Sequence, residues 1–307
     1  MTLLITGATG MIGSGLCQRL ELKDIPFLTL TRNPSGSSQN QIFWDPAKGI
    51  VDSDGLKEIS SVVHLAGESI GKRWSRSLKE RIRSSREKGT RLLCETLSRN
   101  TPPPKTLISA SAIGFYGSSS TQTFTESSSR GHGFLADIVQ GWEEACQPLK
   151  AVNTRVIHMR MGMVLSHSGG VLAKMLPFFK LGLGGTLGSG NQIMSWITME
   201  DLIRLILFFL DHKDHKAIYN AVSPSPVTNA EFTAILGWIP KRPTIFPIPA
   251  RVLRIVFGEM AIETMLASTR VVPERLMDSE FQFHHHELED ALRFILGKNS
   301  AQRDPSH

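Results

Sequence analysis

Residues 6–13 of this 307-residue chain read Thr-Gly-Ala-Thr-Gly-Met-Ile-Gly. The glycines fall at 7, 10 and 13, after the apolar run Leu3–Thr6 and before a helical pattern that begins at Met11. A strand, a glycine turn and a helix in this order can hold a pyrophosphate. The first glycine permits the tight turn, the second lets the backbone approach the phosphates, and the third lets helix and strand pack closely. The phosphates then rest on free N–H groups at the helix N-terminus. Gly7, Thr9, Gly10, Met11, Ile12 and Gly13 are therefore expected to bind a dinucleotide. A second chemical signal is Leu28-Thr29-Leu30-Thr31-Arg32-Asn33-Pro34. Folds that prefer NAD usually place an acid at this strand end, to hold the ribose hydroxyls. No acid is present. The Thr31 hydroxyl and the Arg32 guanidinium suit a 2′-phosphate, through a charge-assisted bond worth about 1.5–3 kcal/mol. The expected cofactor is NADP(H). Leu65, Ala66 and Gly67 follow His64 at another strand end, where small residues let the backbone run beside the cofactor riboses.

Regular elements must position these groups. Short apolar runs at Leu3–Thr6, Phe27–Thr31, Ile42–Trp44, Ser61–Ala66, Thr106–Ser111 and Thr154–Met161 alternate with helical patterns at Met11–Leu22, Ser77–Ser98 and Phe134–Leu149. That alternation predicts a parallel sheet built from βαβ units. The fold class is α/β, a doubly wound parallel sheet of the Rossmann type with a smaller, mainly helical C-terminal lobe. Residues 1–165 form the dinucleotide-binding core, rejoined by about 196–222 through helix Met199–Leu210 and strand Ala217–Ala221. Residues 166–195 and 223–299 form a substrate lobe. It holds an amphipathic stretch at Val171–Leu181, a glycine-rich rim at Gly182–Gly190 and a capping box at Thr228–Glu231. Residues 250–297 read as mainly helical, and 300–307 as a polar tail.

The formal net charge of +6 invites a nucleic-acid reading. The densest basic stretch, Lys72 to Arg91, has nine Lys or Arg against two Glu. A solvated helix face and an anionic cofactor account for that excess, so no nucleic-acid partner is expected. Cys17, Cys94 and Cys146 are odd in number and widely spaced, which argues against a disulfide framework or a metal site and for a reducing, cytoplasmic setting. The apolar start reads as a strand rather than a signal peptide. The run Ile203–Leu210 is too short to span a bilayer, and no membrane partner is expected. The oligomeric state is left open.

The motifs taken together resemble a known family. Thr6–Gly13, Arg32, Leu65-Ala66-Gly67 and Ser109-Ala110-Ser111 resemble extended short-chain dehydrogenase/reductases of the NAD(P)-dependent epimerase/dehydratase kind. Lys72-Arg73-Trp74, Ser85-Arg86, Gly114-Phe115-Tyr116-Gly117, Trp142-Glu143, Arg160–Leu165, Lys174–Gly185, Ser195-Trp196-Ile197 and Tyr219–Pro224 resemble an atypical branch, the YfcH-like proteins. Some members of that branch carry a cell-division-inhibitor label. The resemblance covers roughly residues 1–297. It implies an oxidoreductase or epimerase acting on an unidentified small molecule. The alternative is an NADP(H)-binding regulatory or cell-division-linked protein without ordinary turnover.

The family's chemistry runs on Ser, Tyr and Lys. The Tyr moves the hydroxyl proton, the Lys lowers the Tyr pKa, and the Ser orients the carbonyl. The resemblance matches Ser111 to the Ser position. The Tyr-x-x-x-Lys pair belongs in the helix near residues 134–143, which contains neither residue. Only Tyr116 and Tyr219 occur in the chain, and neither has a Lys four residues on. Three readings stand. Tyr116 acts as a relocated acid/base beside Ser111, another carboxylate such as Asp137 serves, or the cofactor is bound without ordinary turnover. The resemblance also places Arg86 where the supporting Asn often sits, against the cofactor. It places Val164 in the loop that covers the nicotinamide. Trp196 reads as a core residue, and His284-His285-His286 as no metal site.

Overall fold

A computed structural model describes residues 2–34, 40–215 and 217–297. Its centre is an eight-stranded sheet. The strands are β1 (Leu3–Thr6), β2 (Phe27–Thr31), β3 (Gln41–Asp45), β4 (Ile50–Val51), β5 (Ser61–His64) and β6 (Thr106–Ala112). After the short β7 (Thr123–Phe124) come β8 (Arg155–Met161), β9 (Met163–Leu165), β10 (Ile193–Met194), β11 (Trp196–Thr198) and β12 (Ala217–Ala221). The sheet order is β12-β8-β6-β5-β1-β2-β3-β4, parallel except for the β3–β4 edge. The chain runs outward from β1 in one direction, then restarts at β5 on the other side of β1. That reversal opens a crevice at the carboxyl ends of β1 and β5, where doubly wound folds take their ligands.

Strands buried on both faces alternate their side chains between two cores. Ile5, Ile157 and Met159 share one core with Leu16 and Leu20 of helix α1 (Met11–Glu21). Leu4, Val62 and Leu107 face the long helix α2 (Arg76–Ser98), with its buried Leu93 and Leu97. The Ser75 hydroxyl accepts the Leu78 N–H at 3.2 Å and starts α2. The sequence pattern predicts one helix over 134–149. Instead α3 (Phe134–Glu144) stops, and α4 (Gln147–Ala151) restarts. Pro148 has no N–H to offer the preceding turn, so one continuous helix would lose a bond there.

Residues 166–180 continue into α5 (Gly170–Lys180), and α6 (Met199–Asp211) returns to the sheet beside α1. The Thr198 hydroxyl caps α6 by accepting the Asp201 N–H. The expected capping box is present: β13 (Val227–Thr228) leads into α7 (Asn229–Trp238), with Thr228 and Glu231 bonded reciprocally. Leu172, Leu176, Phe179, Phe232, Leu236, Leu288 and Leu292 form a separate apolar cluster in this part of the chain. Residues 250–297 are mainly helical, as expected, but in short pieces that include a π-helical turn at Ala261–Met265. Helices α8 (Ala250–Phe257), α9 (Glu274–Met277) and α10 (Leu288–Ile295) are short, and β14 (Arg270–Val271) between them pairs with β7. Gly258 at positive φ and Pro273 interrupt the helical run. The expected tail, 300–307, lies outside the described residues.

Strand β5 ends at His64 rather than at Ala66: the Leu65 N–H is shared between the Thr6 carbonyl and the Thr6 hydroxyl, and the Ala66 N–H goes to the hydroxyl. The hydroxyl accepts from Leu65 N and Ala66 N, both at 3.2 Å. With those acceptor sites filled, its proton goes to His64 Nδ1 at 2.7 Å. The imidazole is then neutral, with the Nε2 proton donated to Thr90 Oγ1 at 2.8 Å. Burial holds the His64 pKa down at about 4. His158 on β8 is also buried and held at about 4 by burial, opposed in part by the charge of Glu143. Both imidazoles protonate near 6.5 in the unfolded chain and near 4 in the folded one. The unfolded state binds more protons across that window. Folding stability therefore falls as pH drops from 6.5 towards 4, by up to about 3 kcal/mol for each group. Urea titrations across this range should show the fall, with a shallower slope in His64→Gln. An unchanged slope in that variant would contradict the role given to His64.

Candidate functional site

The turn after β1 is built on close contact. Gly7 adopts φ +70°, and a Cβ there would meet the Leu65 carbonyl and Ala66 nitrogen at 2.8 Å. A Cβ on Gly13 would meet the Gly7 carbonyl oxygen at 2.1 Å. The Gly10 N–H closes the turn on Gly7 O at 2.9 Å. Only glycine fits at 7 and 13, and the two together press α1 against the ends of β1 and β5. Gly10 caps α1 without any side-chain bond, and no acid lies in the first turn. The N–H groups there are aimed at the crevice, so phosphate oxygens find donors and no competing carboxylate. Thr9 and Gly10 are exposed at the mouth, while Ile12 packs into the core below and offers its backbone.

Three further groups edge the same crevice. Thr31 ends β2 beside Gly7, its hydroxyl accepting the Asn33 N–H at 3.3 Å. Arg32 is exposed, with no hydrogen-bond or ion-pair partner among the described residues. Arg86 reaches from α2 across Gly67, where an added Cβ would lie 3.4 Å from the guanidinium carbon. It donates to Glu68 O at 2.9 Å and lies 5.0 Å over the Trp142 ring. Burial lowers its pKa to about 10, against a smaller opposing effect of Glu68, which leaves it cationic at neutral pH. Val164 lies on β9, paired with Ile197 of β11. The Met11 side chain packs on Gly169 and Gly170 at the start of α5, and Val164 O lies near Gly170. Met11 and Val164 thus stand where the helix after β1 meets the lobe.

Ser111 and Tyr116 are brought together, but inside the protein. Ser111 Oγ donates to Glu143 Oε1 at 2.6 Å. Arg160 holds the same carboxylate with two bonds of 2.8 Å, and donates to the Tyr116 hydroxyl at 3.1 Å. Tyr116 donates in turn to Asn220 Oδ1 at 2.7 Å, and the Asn220 N–H meets Glu126 at 2.9 Å. The Arg160 guanidinium sits 3.4 Å over the Phe115 ring. Side chains of Arg160 and Glu143 are 2% and 11% exposed, so this is a buried ion pair. Burial pushes Glu143 up, but the hydrogen bonds and charge of Arg160 outweigh it and leave the carboxyl below its ordinary value. Burial also pushes the Tyr116 phenol up, more than Arg160 and Asn220 pull it down. Tyr116 keeps its proton at neutral pH.

Helix α3 carries no Tyr or Lys, and its N-terminus is occupied. Glu263 accepts the N–H groups of Phe134 at 2.9 Å and Leu135 at 2.8 Å. Asp137 is paired with Arg130 on the surface. Trp196 is fully buried and donates to Ser225 O at 2.9 Å. His284 and His285 bond to Glu200. Among the described residues no group of three His, Cys, Asp or Glu is placed to hold a metal ion. Sequence reasoning missed the Glu143–Arg160 pair and the Glu263 cap. The pair carried one signal, since Arg160 sits in an apolar strand pattern where a cation needs a buried partner.

A model of the NAD dependent epimerase/dehydratase family matches residues 3–221, and a model of a domain of unknown function (DUF1731) matches 248–295. An epimerase family protein of Mycobacterium leprae is 39% identical over 297 residues, covering 96% of each chain. The crystal structure of human epimerase family protein SDR39U1 (isoform 2) with NADPH superposes with a TM-score of 0.87 at 31% identity. It covers 97% of this chain and 99% of its own. The crystal structure of a nucleoside-diphosphate sugar epimerase from Corynebacterium glutamicum superposes with a TM-score of 0.80 at 33% identity, over 97% of this chain and 58% of that one.

The buried pair makes a sharp prediction. Arg160→Met strands a carboxylate against Ser111, and should cost about 3–5 kcal/mol in urea unfolding. The double variant Arg160→Met/Glu143→Leu should recover much of that loss. If the double variant is as unstable as the single one, the carboxylate is not what Arg160 offsets.

Proposed function

The chain belongs to the NAD dependent epimerase/dehydratase family, and on that premise we propose that it binds NADP(H) in the β1–β5 crevice and acts as an oxidoreductase or epimerase on a small molecule. The observation that carries this is the glycine cradle, where Gly7 and Gly13 leave no room for a Cβ against Leu65, Ala66 and the turn itself. The NADPH in the human relative's structure supports the same cofactor. In this reading the α1 N-terminus holds the pyrophosphate, Arg32 with Thr31 holds the 2′-phosphate, and Leu65–Gly67 line the riboses. Arg86, Met11 and Val164 border the nicotinamide end. When bound, the cofactor supplies or accepts a hydride.

Ser111 and Tyr116 are positioning residues in this proposal. Their hydroxyls are spent on Glu143 and Asn220, and they fix the 113–117 turn through Arg160. A base at Tyr116 is disfavoured, because its phenol holds its proton more tightly than usual. The same burial, with the empty Tyr-x-x-x-Lys position, favours a second reading in which the protein binds NADP(H) as a regulatory ligand without turnover.

Two measurements test these statements. Arg32→Ala should raise the Kd for NADPH by about 10- to 100-fold, and change the Kd for NADH little. Equal effects on both would overturn the 2′-phosphate assignment. A screen of sugars, carbonyls and quinones following NADPH absorbance should find turnover that falls in Ser111→Ala. Tight NADPH binding with no turnover on any of them would select the regulatory reading.

A further inference from the structure

The lobe that flanks the crevice exposes an apolar surface ringed by unpaired cations. On α8, Val252, Ile255 and Val256 stand at i, i+3 and i+4, share one face and point to solvent, with Leu253 facing inward. Ile255 is 73% exposed. The chain before α8 adds exposed Ile245, Phe246 and Ile248. These abut the 181–188 loop. Gly188 N donates to Ile248 O at 2.9 Å, Ile248 N donates to Thr186 O at 2.8 Å, and Gly182 lies against Pro243. Exposed Phe178, Leu181 and Leu183 therefore belong to the same surface. Soluble monomers rarely leave this many large apolar side chains in one place.

The charge that these segments contribute has one sign, and Glu259 just after α8 is paired with Lys79. Residues 166–199 and 232–258 contain six Lys or Arg and not one Asp or Glu. The six are Lys174, Lys180, Lys241, Arg242, Arg251 and Arg254, all exposed and without an ion-pair partner among the described residues. A second copy of this chain would bring cations against cations, which like-charge repulsion opposes. A nucleic acid would satisfy the cations and leave the aliphatic side chains in water. An interface with anionic headgroups above and acyl chains below satisfies both sets at once.

We propose that this face of the lobe docks peripherally on an anionic phospholipid bilayer. Val252, Ile255, Ile245 and Phe246 enter the acyl boundary, and Arg251, Arg254, Lys241 and Arg242 meet the headgroups. This is lying on a membrane rather than crossing it. No helix among the described residues is long and apolar enough to cross. It revises the expectation of no membrane partner, because residues far apart in sequence share this surface only in the fold. The surface borders the crevice: Arg73, in the loop that follows Gly67, donates to the carbonyls of Ile255 and Val256 at the end of α8.

The test is vesicle flotation with the full chain. The protein should float with phosphatidylcholine vesicles containing phosphatidylglycerol, and not with phosphatidylcholine alone, and added salt should release it. Arg251→Gln/Arg254→Gln should weaken vesicle binding about 25-fold, from about fivefold per charge. Ile245→Ser/Ile255→Ser should weaken it at least tenfold. NADPH titration and thermal midpoint report folding in both variants and should match the parent. Flotation with neither vesicle, equal flotation with both, or parent-like binding by both folded variants would overturn the proposal. So would a dimer in sedimentation velocity that the Ile pair abolishes, or duplex DNA binding that the Arg pair abolishes while the Ile pair leaves it intact.

Discussion

The backbone of Gly7 passes so close to the Leu65–Ala66 peptide that only a hydrogen atom fits between them. Everything at the candidate site depends on that approach. It brings the carboxyl ends of β1 and β5 together at the point where strand order reverses. Gly13 then lets α1 press on Gly7, and the free helix N-terminus faces the crevice. The Thr6 hydroxyl holds the junction from below. It accepts from the N–H groups of Leu65 and Ala66, and donates its own O–H in a hydrogen bond to a neutral His64 anchored on Thr90. A larger residue at 7 or 13, or a charged His64, would push the two strand ends apart.

A second constraint sits behind the first. Helix α3 contains neither tyrosine nor lysine, and it presents Trp142 and Glu143. Trp142 lies under Arg86 beside the crevice, and Glu143 is drawn into the sheet by Arg160. The carboxylate and the guanidinium offset each other's burial cost because the geometry is two-pronged and Ser111 and Tyr116 add a further bond to each. The result is a rigid wall of side chains with settled protonation. A bound cofactor would find a cradle on one side and a closed network on the other.

Much of this was legible in residue order. The glycine spacing, the missing acid after β2 and the alternation of apolar runs and helices led to the sheet and the crevice. The absence of a Tyr-x-x-x-Lys pair from 134–143 was legible as well. Other features were not legible, for physical reasons. The end of β5 moved because a side-chain hydroxyl of β1 competes for its N–H groups, a contact 58 or more residues apart in sequence. The split of α3 from α4 follows from Pro148, a local signal that the apolar periodicity of 134–149 masks. The Glu143–Arg160 pair and the Glu263 cap join segments whose proximity only the fold decides. The apolar face of α8 had the spacing of a buried helix stripe, and nothing in the order of residues said that it would face out.

The central claim is that NADP(H) lies at the β1–β5 switch point, its adenosine end held by Arg32 and its pyrophosphate by the α1 N-terminus. A crystal structure of the protein with NADPH tests this most directly. The account predicts the pyrophosphate over the Gly10–Gly13 N–H groups, the 2′-phosphate against the Arg32 guanidinium, and no side chain of α3 within hydrogen-bond reach of the substrate side of nicotinamide C4. A 2′-phosphate turned away from Arg32, or a crevice left empty at saturating NADPH, would contradict it.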